Sequence, residues 1–107
     1  MITIVYHRAY NKVTLEGHAQ SGEHGHDLVC AAVSTLAYTL ANAVENMHAS
    51  NQLKEKQCLL GEGDAVIVCR PLTRYVSVVT LVFDVFCSGF EMLAQNYPEN
   101  ISYEIRG

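Results

Sequence analysis

The sequence predicts an α+β fold with the element order ββαββαβ, in which a mostly antiparallel sheet carries two helices packed on one face. Three observations predict it: two pairs of strand-like segments joined by short turns, two long segments with helical spacing of apolar residues, and a short strand-like segment near the end. With 107 residues, 50% of them apolar, the chain can bury one core, and we interpret residues 1–107 as a single domain.

The first strand pair is predicted from alternating polarity. Ile2, Ile4 and Tyr6 fall on one side of an extended segment, and residues 13–16 alternate in the same way after a turn at residues 11–12. Residues 19–26 contain two glycines and show no hydrophobic period, so we expect a loop there.

A helix is predicted from Asp27 to about Ala49. Its apolar residues recur at steps of three and four, as one buried stripe does: Val29, Val33, Leu36, Leu40, Val44 and Met47. Asp27 is the expected N-cap, because its carboxylate can accept a hydrogen bond from an unpaired amide of the first turn. Cys30 would then lie three residues after the N-cap.

A second hairpin is predicted from residues 53–60 and 64–70, joined through residues 61–63. Pro71 ends it, because proline cannot donate a ladder hydrogen bond.

Residues 75–97 fit two structures. The β-branched stretch at 76–80 favours a strand, whereas the length of the segment favours a helix. The larger apolar residues also have helical spacing: Phe83, Phe86, Phe90, Leu93 and Tyr97. We predict a helix, followed by a last strand with Ile101, Tyr103 and Ile105 on one face.

Charge and hydropathy exclude several classes of function. A formal net charge of −4 argues against direct nucleic-acid binding through a basic face. Charged residues interrupt every apolar stretch before it reaches eighteen residues, Asp84 and Glu91 in the best candidate, so no membrane span is expected. The N-terminus shows no basic segment followed by an apolar run, and we expect a cytoplasmic protein.

The four cysteines do not form a Cys-x-x-Cys pair, so the usual zinc and thioredoxin-like spacings are missing. We expect Cys58, Cys69 and Cys87 to be reduced, buried thiols that act as small apolar residues.

Cys30 and His18 are the candidate catalytic pair. The positive end of the helix dipole and the free amides of the first turn favour a thiolate at the start of a helix. His18 could accept the thiol proton and later protonate a leaving amine, while amides of the same turn hold an oxyanion. Strand parity places His18 on the side of Glu16, away from the core, so the chain must bend at Gly17 to bring the pair together.

The same region allows a different chemistry. His18, His24, His26 and Cys30 are four possible zinc ligands, although their spacing matches no common zinc motif. Outside such a site, His24 and His26 would be solvated loop histidines.

Neighbouring residues each have two interpretations. Ser34, one turn after Cys30, either lines the site or hydrogen-bonds to a backbone carbonyl. Asp27 either orients His18 or caps the helix. Gly22 and Gly25 either let the loop fold over a bound peptide or form an ordinary flexible connection.

These residues form one pattern: Gly17, His18, Ala19, Gly22, Gly25 and the segment at 27–34. The pattern resembles the signature of the ribosomal-processing cysteine protease family, Prp. The resemblance continues at residues 89–93, near Tyr97 and at Ile101, whereas residues 52–75 match weakly. Leu28 stands where the family usually has isoleucine.

The resemblance implies a cytoplasmic bacterial endopeptidase. It would remove a short N-terminal extension from the twenty-seventh protein of the large ribosomal subunit, cutting after two phenylalanines and before an alanine and a basic segment. Cys30 would be the nucleophile and His18 the general base and acid. Four residues match supporting positions: Gly17, Gly22, Asp27 and Ser34.

The resemblance also implies a homodimer, and we expect neither a cofactor nor a metal. The alternative function is a non-catalytic, ribosome-associated binding module, in which the His/Cys cluster is vestigial or holds a metal.

Overall fold

The computed structural model describes residues 1–17 and 24–107, with the backbone alone at residues 24–27. Along the chain the elements are β1 (Ile2–His7), β2 (Lys12–Glu16), α1 (His24–Ala49), β3 (Leu53–Gly61), β4 (Asp64–Pro71), α2 (Val76–Asn96) and β5 (Ile101–Arg106). Short 3-10 turns at Arg8–Tyr10 and Thr73–Tyr75 precede β2 and α2. The predicted α+β fold and its ββαββαβ order are confirmed.

Within the described residues, the strands form one sheet in the order β3-β4-β2-β1-β5. β1 and β5 are parallel, and the other neighbouring strands are antiparallel. Tyr6 lies opposite Val13, and Val13 lies opposite Ile67. These cross-strand rows therefore point their apolar side chains to one face of the sheet.

Both helices cover that face. α1 contacts β3 and β4, α2 contacts β5, and the two helices contact each other. Their close approach depends on Gly89, where a Cβ would lie 3.0 Å from Cδ1 of Leu36. The fully buried core between helices and sheet includes Ile4, Tyr6, Val13, Leu40, Val44, Ile67, Phe83 and Phe90.

The ambiguous segment forms the helix α2, as predicted. Its buried residues, Val79, Phe83, Cys87 and Phe90, recur at helical spacing. Burial of this stripe outweighs the strand propensity of residues 76–80, which is a weak and context-dependent preference.

The start of α1 differs from the prediction. The helix begins at His24, not at Asp27, so residues 24–26 are helical instead of part of a loop. Asp27 is the fourth residue of α1 and therefore not its N-cap. A glycine at position 25 costs about 1 kcal/mol within a helix, and an aspartate N-cap contributes a similar amount, so neither residue alone dictates where the helix begins.

The predicted turn between the first strands is centred on Asn11. This residue is buried and adopts the left-handed conformation with φ 49°. Its side-chain Nδ2 donates a hydrogen bond to Oγ1 of Thr80 (3.2 Å), and its carbonyl accepts one from the amide of Cys69 (3.1 Å). The turn thus connects β1 and β2 to both α2 and β4.

By length and composition alone, two segments, Leu28–Ala49 and Thr73–Asn96, could cross a membrane. Each contributes a buried stripe to the core, as helices of globular domains do. Their apolar composition therefore has an explanation within the fold.

Candidate active site

A cleft of about 420 Å³ lies between α1 and the tip of the β3–β4 hairpin, and Cys30 lines it. The hairpin contributes residues 60–65, and the first two strands contribute Ile2, Leu15 and Gly17. Cys30 is partly buried and packs against the core. Its thiol is therefore held by packing at the edge of a space that a peptide could enter.

Helix α1 lines the cleft with five described residues, three of which follow one another at four-residue intervals: Cys30, Ser34 and Tyr38. Side chains four positions apart lie on one face of a helix, so this arrangement follows from sequence spacing once α1 packs on the sheet. Ser34 lies in the cleft one turn from Cys30, the position that a site-lining role requires.

Gly17 lines the same cleft and can only be glycine. It has φ +99°, and a Cβ there would clash with the carbonyl oxygen of Met1. Its amide donates a hydrogen bond to the carbonyl of Gly63 (2.8 Å), which joins the end of β2 to the hairpin tip. The residue that directly precedes His18 in the sequence is therefore part of the cleft that holds Cys30.

Several predicted site residues fall outside the described residues. His18 and Gly22 are among them, as is the side chain of Asp27; Gly25 is described only as helical backbone. The pairing of Cys30 with His18 therefore stays a prediction. The zinc hypothesis has the same status, because it depends on the side chains of His18, His24 and His26.

The earlier start of α1 changes the electrostatics expected around Cys30. Cys30 is the seventh residue of the helix and so belongs to its second turn, not to the first. The helix dipole acts mainly within the first turn, and an amide inside a helix is bonded to the carbonyl four residues earlier. The helix dipole therefore stabilises a thiolate at Cys30 less than the sequence suggested. The amide of Cys30 is also not free to bind an oxyanion.

The other cysteines have no comparable access to this cleft. Cys69 and Cys87 are buried as predicted, and burial raises the pKa of each thiol to about 12. Cys58 is half-buried, not fully buried as expected, and burial raises its pKa as well. Protonated thiols are poor nucleophiles, so these three are structural residues.

Two features of the cleft were not found by sequence reasoning. Tyr38 lies eight residues after Cys30, and this spacing could have identified it. The hairpin acids Glu62 and Asp64 also line the cleft, but no local signal connects them to Cys30. They reach it only because the hairpin packs beside α1.

Comparison with known proteins identifies the family. A family model described as Cysteine protease Prp matches residues 1–102. The chain belongs to this family. A local match to the ribosomal processing cysteine protease Prp of Staphylococcus aureus is 47% identical over 32 residues and covers 30% of each chain.

Solved structures extend the similarity over the whole fold. SMU.848 from Streptococcus mutans is 33% identical, with a TM-score of 0.67 over 97% of this chain and 90% of its own. The S. aureus Prp protease, solved with a covalently linked product peptide, has a TM-score of 0.69 at 24% identity, covering 99% of this chain and 100% of its own. The latter similarity confirms the fold.

Proposed function

We propose that this chain is a cysteine endopeptidase that removes the N-terminal extension of a large-subunit ribosomal protein, the twenty-seventh in the usual count. The observation that carries the proposal is the cleft between α1 and the hairpin, which Cys30 lines together with Gly17, the residue before His18. Family membership supports the class of reaction.

In the proposed mechanism, His18 accepts the thiol proton while Sγ of Cys30 attacks the scissile carbonyl carbon. The tetrahedral intermediate collapses to a thioester as the amide C–N bond breaks, and His18 gives its proton to the departing amine. Water, deprotonated by His18, then hydrolyses the thioester and releases the N-terminal extension. Oxyanion donors come from outside the second turn of α1, whose amides are already bonded.

Four residues support this pair in the proposal. Gly17 shapes the end of β2, and Gly22 is assigned a supporting role from the resemblance to the family alone. Asp27 orients His18, and Ser34 borders the thiol one turn away in the cleft. Catalysis uses no cofactor or metal.

The charge of the cleft suits a substrate with a basic segment after the cleavage site. Glu62 and Asp64 are exposed at the hairpin tip, and neither forms an ion pair within the described part of the chain. Unpaired carboxylates attract a cationic peptide and raise its association rate.

A second copy of the chain is the other proposed partner. α2 exposes an apolar stripe formed by Val78, Leu81, Val85 and Met92, on the side opposite its buried residues. Such a contiguous apolar surface is typical of an interface. Leu81→Lys should shift the protein from dimer to monomer in light scattering, whereas Leu59→Lys, at an exposed site on β3, should leave the dimer intact.

We place the enzyme in the cytoplasm, without direct contact to nucleic acid or membrane. The four cysteines are free, and a reducing compartment keeps a catalytic thiol in that state.

The decisive experiment incubates the protein with the ribosomal-protein precursor and follows the precursor by mass spectrometry. The wild type should release the extension, Cys30→Ala and His18→Ala should not, and Cys58→Ala should cut normally. Equal behaviour of all four proteins would instead support the non-catalytic binding module. Zinc analysis of the purified protein checks the metal-holding form of that alternative.

A further inference from the structure

The cleft also contains an exposed aromatic residue, Tyr38, to which the proposed catalytic mechanism assigns no role. Tyr38 is 58% exposed, and within the described chain its hydroxyl makes no hydrogen bond. Val33 and Ala37 are buried beside it on the same helix, and Leu60 of β3 is half-buried across the cleft. The exposed ring of Tyr38 therefore lies beside an apolar part of the cleft lining.

The distance from Cys30 fixes which part of a peptide can reach this place. A helix rises 1.5 Å per residue, so eight residues separate Cys30 and Tyr38 by about 12 Å along the axis. An extended peptide advances about 3.4 Å per residue, so that distance corresponds to roughly three or four peptide residues. A substrate whose scissile carbonyl is at Cys30 would present its third or fourth residue to Tyr38.

The positions of Gly17 and Leu60 indicate in which direction a substrate peptide runs along the cleft. Gly17 directly follows β2, whereas Leu60 belongs to β3, two strands away in the sheet and therefore roughly 10 Å across it. The proposed proton donor to the leaving amine, His18, follows Gly17 in the sequence. The leaving half of the peptide therefore belongs at the Gly17 end, and the acyl half extends toward Tyr38 and Leu60.

We propose that Tyr38, with Val33, Ala37 and Leu60, forms a specificity subsite for a large apolar side chain three or four residues before the scissile bond. The inference rests on the proposed function and adds to it a selectivity upstream of the two phenylalanines. The ring packs against the substrate side chain, and its hydroxyl can donate a hydrogen bond to a peptide carbonyl.

Cleavage selectivity tests the subsite. Peptides keep the two phenylalanines before the scissile bond, and their third and fourth residues before it are varied together between leucine and aspartate. The wild type should prefer leucine by at least about tenfold in kcat/KM, since an apolar pocket discriminates by that order. Tyr38→Ala should reduce the preference to within about twofold, and Tyr38→Phe should keep it. Tyr10→Ala, which removes another exposed aromatic ring away from the cleft, should not change it.

A binding experiment separates this inference from the proposed catalysis. The same peptides are titrated by calorimetry into Cys30→Ala and into the double variant Cys30→Ala/Tyr38→Ala. Loss of leucine selectivity in the double variant supports the subsite even if the wild type cuts nothing, in which case only the proposed catalysis fails. Equal selectivity of both variants, or no selectivity in either, overturns the inference.

Discussion

The two helices each carry a cysteine and place it in opposite surroundings. Cys30 on α1 lines an open cleft, whereas Cys87 on α2 is 1% exposed between that helix and the sheet. Burial raises the pKa of Cys87 to about 12 and leaves it a protonated, apolar core residue. Packing, and not residue type, therefore separates a candidate nucleophile from a structural thiol in this fold.

The carboxylates of the two regions differ in the same way. Asp84 on α2 accepts hydrogen bonds from the hydroxyl of Tyr6 (2.7 Å) and from Nε and Nη2 of Arg8 (3.0 and 2.9 Å). Glu62 and Asp64, at the cleft, form no ion pair within the described residues. Asp84 therefore links α2 to the end of β1 and the turn after it. The carboxylates of Glu62 and Asp64 are available to a ligand in the cleft.

Thiol alkylation should give the largest difference between the regions. Relative to an ordinary thiol, whose pKa is about 8.5, a pKa of about 12 lowers the thiolate fraction of Cys87 at neutral pH roughly three-thousandfold. We expect iodoacetamide to modify Cys30 at least about 10³-fold faster, as measured by peptide mass spectrometry. The fast phase should vanish in Cys30→Ala, and similar rates at both sites would show that packing does not distinguish the two thiols.

Phe83→Ala should show that the α2 side carries stability. Phe83 is fully buried and stacks on Tyr6 with ring centroids 6.3 Å apart. Truncating a buried phenylalanine lowers the free energy of unfolding by about 3–5 kcal/mol. Urea denaturation measures the loss, and Leu59→Ala, at a site that is 56% exposed, should change it by less than about 0.5 kcal/mol.

Low pH should lower the stability of the fold by protonating Asp84. The hydrogen bond from Arg8 is the main reason that the pKa of Asp84 lies below its ordinary value of 3.8, and the Tyr6 hydroxyl lowers it further. A carboxyl with a lowered pKa stabilises the fold above its unfolded pKa, and that contribution disappears as the pH falls from about 4 through the folded value.

The stability of the wild type should therefore decrease over this pH range by more than that of Asp84→Asn. Denaturation midpoints of the two proteins between pH 6 and pH 2.5 measure the difference. Parallel pH profiles would show that Asp84 contributes nothing through its charge.

The smallest expected effect concerns the hairpin acids. The double variant Glu62→Gln/Asp64→Asn should lower kcat/KM for a peptide with a basic segment about two- to fivefold at low salt. The difference should shrink at 0.5 M salt, because salt screens exposed charges. Glu99→Gln, at an exposed site outside the cleft, is the control. An effect independent of salt would rule out electrostatic attraction as its cause.

Much of the fold was predictable because its signals are local. Alternation at Ile2, Ile4 and Tyr6 identified β1 and its buried face, and apolar spacing identified both helices. The start of α1 was not predictable in this way. Asp27 has the side chain of a good N-cap, but the residues before it can also be helical, and the choice depends on small differences in free energy.

The residues of the candidate site also fall into two groups, those that a local sequence pattern identifies and those that it does not. Cys30 and Ser34 were identified from the sequence, because four-residue spacing on a helix fixes a shared face wherever that helix packs. That Glu62, Asp64 and Gly17 line the same cleft as Cys30 and Ser34 became visible only in the tertiary structure. Residues so far apart in sequence become neighbours only when the sheet sets the strand order and α1 packs over it, and no local pattern encodes that packing.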